Sequence, residues 1–191
     1  MILSGDEIQR RLGSDIEVDP FDPLRLNPNS YNLALHDELL VYEEVVLDLR
    51  TPNRYRRLTI PAEGIVLQPE KLYLGRTVEH TRTHNLVPLI SSRSSLSRLG
   101  LMVTASGVGD VGFCGHWTLG LRVVQPLRIY PFVQVCQILY QELCGKINEY
   151  TSDKYQDSEE IQPSRMHREL GVSDHEQQLE LNFDQLARQS R

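Results

Sequence analysis

From Tyr31 onward, short apolar runs alternate with polar residues and are broken by Gly, Pro, Asn and Asp, the punctuation of a β protein. Ahead of them, Ser4 followed three residues on by Glu7 forms a capping box, and Ile8 and Leu12 add an apolar stripe. That pattern predicts one short helix over residues 5–12. Pro20, Pro23 and Pro28 with neighbouring asparagines predict a loop over 20–29. Segments of strand length follow at 31–42, 45–49, 58–60, 64–67, 72–78, 87–90, 101–104, 117–124, 127–130 and 133–140. Many short strands without βαβ alternation predict a mainly β fold, a sandwich or jelly-roll-like barrel with a short N-terminal helix.

The pattern changes at Asn148. Residues 1–147 read as one domain, whereas 148–170, with Thr151-Ser152-Asp153 and Asp157-Ser158-Glu159-Glu160, cannot continue a core strand. That stretch either wraps a site as a C-terminal lid or is disordered. Residues 171–191 are acidic and Gln-rich with Leu179, Leu181, Phe183 and Leu186 embedded, which predicts a polar arm, helical or dependent on a partner for its order.

Composition sets the outer limits. A chain of 191 residues, 40% apolar, supports one domain with an arm. It holds no run of about 18 apolar residues, and Met1-Ile2-Leu3-Ser4 has neither the basic nor the apolar region of a signal peptide. The expectation is a cytoplasmic protein with no membrane partner. A net charge of −6 argues against general nucleic-acid binding but leaves room for a small anion held by a few local arginines. Cys114, Cys136 and Cys144 lack Cys-x-x-Cys spacing and sit among apolar neighbours, so buried thiols are expected rather than disulfides or a metal site.

Two segments carry candidate chemistry. In Ser91-Ser92-Arg93-Ser94-Ser95-Leu96-Ser97-Arg98, hydroxyls, guanidinium groups and the start of a short helix converge as a phosphate cradle would. A polar turn whose serines cap a helix, with both arginines in solvent, accounts for the same composition. The turn from Gly107 to Gly115 has four glycines in nine residues, so its backbone can approach a ligand closely. Asp110 would sit at its centre as an acceptor or general base, and Phe113 would offer a ring face; a tight turn with an Asx bond is the plainer alternative.

Together these segments resemble the dCTP deaminase branch of the trimeric dUTPase superfamily, and the resemblance covers roughly residues 1–165. It includes the opening Met1-Ile2-Leu3-Ser4, Asp19-Pro20-Phe21, Asn27-Pro28-Asn29-Ser30-Tyr31-Asn32-Leu33, Leu72-Tyr73-Leu74-Gly75-Arg76-Thr77, and Arg93-Ser94-Ser95-Leu96-Ser97-Arg98-Leu99-Gly100-Leu101. Gly109-Asp110-Val111-Gly112-Phe113 and Lys154-Tyr155-Gln156 complete it. The resemblance implies a dUTPase-like β-sandwich protomer in a homotrimer, with sites shared between subunits and the C-terminal lid closing over a triphosphate. It implies dCTP or dUTP as ligand and the zinc-independent reaction dCTP + H2O → dUTP + NH3, which feeds dUMP and dTTP synthesis. By the same carry-over, Arg93, Ser94 and Ser95 bind phosphates, and Ser94 and Arg98 stand near the reacting base. Asp110 holds the deoxyribose, or activates water in diphosphatase members, and Phe113 packs against the sugar. Gln137, Tyr150, Lys154 and Tyr155 complete the substrate-binding set, and Mg²⁺ accompanies the triphosphate without a direct protein ligand.

His36-Asp37-Glu38 matches half of a zinc deaminase signature, but no Pro-Cys-x-x-Cys follows it. His80 and His84 lie in a polar Thr/Arg stretch and make an equally weak metal pair. The departures from the resembled family are more telling. Ten residues after the turn's aspartate, its deaminases carry a glutamate that moves protons to and from the base and the attacking water; here that position is Gly120. Losing a general acid/base typically costs ~10²- to 10⁴-fold, so deamination is expected to be crippled. In addition, Ser92 replaces a glycine, the 101–110 segment is one residue short and lacks a histidine common there, and Asp157-Ser158-Glu159-Glu160 replaces a Gln- and Gly-containing lid. Three functions compete: a weakened dCTP deaminase relying on another carboxylate such as Glu142, a dUTP diphosphatase using Asp110 and Mg²⁺, and a noncatalytic nucleotide-binding regulatory trimer.

Overall fold

A computed structural model of the chain describes residues 1–105, 107–148, 150 and 152–170. The expected arm at 171–191 lies outside the described residues. The chain divides into two compact units, Met1–Val41 with Arg57–Gln162, and Tyr42–Arg56 with Pro163–Arg191. The elements are α1 (Gly5–Arg10), β1 (Ile16–Asp19), a 3-10 turn (Pro23–Arg25), β2 (Leu26–Asn27), β3 (Ser30–Ala34), β4 (Glu38–Tyr42), β5 (Tyr55–Thr59) and β6 (Ile65–Leu67). They continue with β7 (Tyr73–Thr83), β8 (Leu86–Ser92), α2 (Ser94–Ser97), β9 (Leu101–Thr104), β10 (Cys114–Val123), β11 (Leu127–Ile129), β12 (Gln134–Glu142) and α3 (Met166–Glu169).

The strands form a six-stranded sheet in the order β5-β4-β7-β10-β9 with β1 also on β7, a four-stranded sheet in the order β2-β3-β12-β8, and the pair β11-β6. No sheet of the described residues closes on itself, so the protein is a sandwich of open sheets rather than a barrel. Alternation supplies the reason: along β7 every second residue is buried, and β3, β8, β10 and β12 send Tyr31, Leu33, Ile90, Leu119, Leu121, Ile138 and Tyr140 into the same core. The capping box forms as expected, with Ser4 Oγ accepting from Glu7 N at 3.2 Å, although α1 ends two residues early.

The strand expected at 45–49 is not there. Within its own unit that stretch is an exposed turn, pinned by Asp48 N donating to Asn53 Oδ1 at 2.9 Å, with Val45 wholly exposed. β-Branched residues make a strand only where a neighbouring strand or core is present to bury them. The expectation of buried thiols also needs correction. Cys136 is fully buried and Cys114 half-buried, but Cys144 is exposed because the chain leaves the sheet after Glu142. His36, His80 and His84 do not gather: His36 Nδ1 lies 2.8 Å from Asp37, His84 Nε2 lies 3.5 Å from Glu17, and His80 Nε2 faces Cys114 Sγ at 3.5 Å. Among the described residues no helix is long and apolar enough to cross a membrane.

The sequence pattern passed over one buried charge. Glu79 is fully buried on β7, where its carboxylate pairs with Arg25 and accepts from Ala34 N at 2.9 Å. Burial pushes its pKa up, while the Ala34 amide and the Arg25 charge pull it down. Removing one partner of such a pair leaves a charge without compensation and costs about 3–5 kcal/mol. Arg25→Ala is therefore expected to lower the melting temperature by roughly 6–20 °C in a thermal scan, at about 2–4 °C per kcal/mol for a domain of this size.

Candidate functional site

The glycine-rich turn between β9 and β10 is fastened to the edge of β8: Ile90 N donates to Gly107 O and Gly109 N to Pro88 O, both at 2.8 Å. Phe113 N closes the turn onto Asp110 O at 3.2 Å. Gly109 is required by packing, since a Cβ there would stand 2.3 Å from Trp117 Cη2. Trp117 forms the floor; its ring lies 4.5 Å from that of Phe113, and its Nε1 donates to Thr81 Oγ1 at 2.8 Å. The Asp110 carboxylate is thereby left exposed on the rim.

Residues 156–162 run along β10 and roof this floor. Gln156 Nε2 donates to Gly112 O at 2.8 Å, Asp157 N to Cys114 O at 2.8 Å, His116 N to Ser158 O at 2.9 Å, and Gln162 N to Thr118 Oγ1 at 2.9 Å. Gly115 makes the approach possible: at φ +142°, a Cβ would meet Ser158 N at 2.8 Å. Gly115→Ala is expected to cost the roof about 1–3 kcal/mol, seen as faster amide exchange and proteolysis at 156–162 while the core strands stay protected. Glu159 and Glu160 are both exposed; Glu160 pairs with Arg57 at 2.5 Å, and Glu159 Oε2 lies 3.9 Å from His116 Nε2.

Between floor and roof lies a cavity of 260 Å³ walled by Asp110, Phe113, His116, Trp117, Tyr150 and Tyr155 among others. A second cavity, of 490 Å³, shares Asp110 and Tyr150 with it. The walls suit a flat, amphipathic ligand: several aromatic faces, with a carboxylate at the mouth.

The structure brings together Asp110, Phe113, Tyr150 and Tyr155, and Lys154 Nζ sits 5.2 Å from the Tyr155 ring centroid. It does not bring the Arg/Ser loop to this cavity. Arg93 Nη1 donates to Gln134 O at 3.0 Å, Arg98 Nη1 donates to Ser94 Oγ at 3.3 Å, and Ser94 and Ser95 on α2 and Arg98 at its C-terminal cap are exposed. None of them walls either cavity. Gln137 is likewise elsewhere, accepting from Ser30 Oγ at 3.2 Å within the β3/β12 sheet. The described residues thus hold an aromatic, acidic cavity and, apart from it, a donor-rich loop at 93–98.

Gly120 is buried in β10, opposite Leu74 of β7 on one side and Thr104 of β9 on the other. Thr104 Oγ1 donates to Gly120 O at 3.2 Å and would stand 2.6 Å from a Cβ at Gly120. A threonine side chain therefore fills the space into which a longer side chain at 120 would start. Glu142 offers no replacement: it is bound to Arg11 at 2.9 Å and to the N-terminal amine at 3.8 Å, and it walls neither cavity. Sequence reasoning missed His116, Trp117 and Thr118 as cavity residues, because it read Trp117 and Thr118 as the start of a strand and gave His116 no role. Pairing with β7 shifts register between His116 and Thr118, and that bulge turns three successive residues toward the cavity wall. No residue pattern announces such a bulge.

Comparison with known proteins places this architecture. A family model described as dCTP deaminase-like matches residues 2–143. The chain is 65% identical over 189 residues to the dCTP deaminase of Rhodopirellula baltica, covering 98% of this chain and 96% of that one. It is 56% identical over 171 residues to a dUMP-forming dCTP deaminase of Leptospira biflexa, covering 89% and 98%. Among solved structures, the crystal structure of 2'-deoxycytidine 5'-triphosphate deaminase from Agrobacterium tumefaciens superposes with a TM-score of 0.62 at 16% identity, over 78% of this chain and half of that one. With the family model spanning residues 2–143 and relatives of 65% and 56% identity along nearly the whole chain, the chain belongs to the dCTP deaminase family.

Proposed function

We propose that this chain is a pyrimidine deoxynucleoside triphosphate-binding member of its family, acting as a homotrimer, in which the deaminase reaction is crippled. The observation that carries the reading is Gly120, buried beside Thr104 Oγ1 at the place where a proton-handling carboxylate is expected, with Glu142 engaged by Arg11. Glycine can neither accept the proton of an attacking water nor return one to the ring or the leaving ammonia, and that loss typically costs ~10²- to 10⁴-fold. Two relatives named above are a dCTP deaminase and a dUMP-forming dCTP deaminase, which supports a triphosphate of deoxycytidine or deoxyuridine as the ligand.

In this reading the cavity and the loop are half-sites contributed by different subunits. Arg93, Ser94, Ser95 and Arg98 of one subunit take the phosphates through charge-assisted donors, while Asp110 and Phe113 of another hold the deoxyribose under Tyr150 and Tyr155. The exposure of the phosphate-binding residues, away from either cavity, supports a shared site. Among the described residues no three His, Cys, Asp or Glu side chains are grouped to hold an ion, so Mg²⁺ would enter chelated by the triphosphate and supply charge neutralisation there.

One observation favours a second reading, hydrolysis of dUTP to dUMP and pyrophosphate. Asp110 stands exposed where the two cavities meet, and among the described residues no side-chain hydrogen bond or ion pair occupies its carboxylate, which leaves it open to activate water. Incubation of the chain with dCTP or dUTP and Mg²⁺, with ammonia and pyrophosphate followed separately, decides between them. Pyrophosphate without ammonia supports the diphosphatase, binding without either product supports a regulatory trimer, and brisk ammonia release overturns the reading. A stable monomer in sedimentation would sink the shared site.

A further inference from the structure

The reading above leaves His116 without a role. Its side chain is only 12% exposed, it walls the 260 Å³ cavity, and it sits where the roof is stitched to β10, with Ser158 Oγ donating to its carbonyl at 3.2 Å. Its Nε2 lies 3.9 Å from a carboxylate oxygen of Glu159, which is 78% exposed. Arg76 and His80 face it from β7, the His80 ring at 5.4 Å, and Glu159 faces it from the roof. Cys114, its neighbour on β10, has its thiol directed to His80 and raised to about 11, chiefly by burial and then by Asp157, so it brings no charge. Burial, then the Arg76 and His80 charges, depress the His116 pKa, while Glu159 and a hydrogen bond to the Glu79 backbone pull it up. A depressed imidazole is neutral near pH 7, so it offers no charge to the Glu159 carboxylate 3.9 Å away.

We propose that His116 is a positioning residue that links nucleotide binding to proton uptake: once protonated, it pairs with Glu159 and removes that carboxylate's repulsion of an entering triphosphate. The inference rests on the nucleotide reading of the site. The sign follows from charge. An anionic ligand favours the protonated imidazole, so binding takes up a proton and tightens as pH falls through the ionisation of His116. One like charge relieved near a partly exposed site is worth about 3- to 10-fold in affinity.

The test is calorimetric titration of the full chain with α,β-imido-dUTP and Mg²⁺ at about pH 8 and at a lower pH of about 5, below the ordinary imidazole value because the His116 ionisation is shifted down. Buffers of different ionisation heat report the protons taken up. Wild type is expected to gain about 3- to 10-fold in affinity at the lower pH relative to His116→Gln, with net proton uptake that the variant lacks. Glu159→Gln should bind more tightly at the higher pH and keep less of the pH dependence. Ionisation of the nucleotide itself is common to all three proteins and cancels in the comparison. Equal pH dependence in wild type and His116→Gln overturns the proposal, as does an equal loss of affinity at both pH values, which marks a purely structural role. No binding by any of the three overturns the nucleotide reading, and the proposal with it.

Discussion

Gly120→Glu is expected to raise ammonia release from dCTP by roughly 10²- to 10⁴-fold over the unmodified chain, the span usually lost with a general acid/base. The new side chain begins in occupied space, because its Cβ would fall 2.6 Å from Thr104 Oγ1 and 3.5 Å from Leu72 Cδ1. Thr104 lies at the solvent-facing end of β9 and can turn its hydroxyl away, at the cost of the 3.2 Å bond to Gly120 O. Such a bond is worth about 0.5–1.5 kcal/mol net, so the paired variant Gly120→Glu/Thr104→Ala should exceed the single one by up to about tenfold. Steady-state ammonia assays on both variants and on Thr104→Ala alone separate the two effects. Ammonia from Thr104→Ala alone would show that the glutamate is not the missing part.

Under the second reading, in which the chain hydrolyses dUTP, Asp110→Asn is expected to reduce pyrophosphate release by about 10²- to 10⁴-fold while leaving nucleotide binding within a few-fold. The carboxylate is exposed on the rim of the cavity, so the amide fits without burying a new polar group, and the fold should be untouched. Loss of hydrolysis with binding retained would identify Asp110 as the water-activating group. A parallel loss of binding would assign it to the deoxyribose instead. Measuring turnover and nucleotide affinity on the same preparation distinguishes the two, and the melting temperature serves as the control for folding.

Much of the architecture was legible in one dimension. Alternation along 72–78 and 133–140 marked the two central strands, β7 and β12, and the four glycines of 107–115 marked the turn that carries Asp110. The strand over 45–49 failed for a definite reason: apolar, β-branched composition states what a segment tolerates, and only a neighbouring strand makes it a strand. Buried Glu79 escaped notice because its partner Arg25 is 54 residues away in the chain.

The sequence by itself determined the mainly β class, the family motifs from Ser94 to Arg98 and from Gly109 to Phe113, and the absence of a carboxylate at Gly120. These are properties of local periodicity and residue identity, which the chain carries before it folds. The tertiary structure decided that Glu142 is consumed by Arg11, that Thr104 stands in the space next to Gly120, and that Glu160 pairs with Arg57. It also decided that a bulge at Trp117 sets His116 beside Glu159 at the cavity. Each of these joins residues from strands or segments far apart in the chain, and strand register, which no local pattern contains, settles which side chains meet.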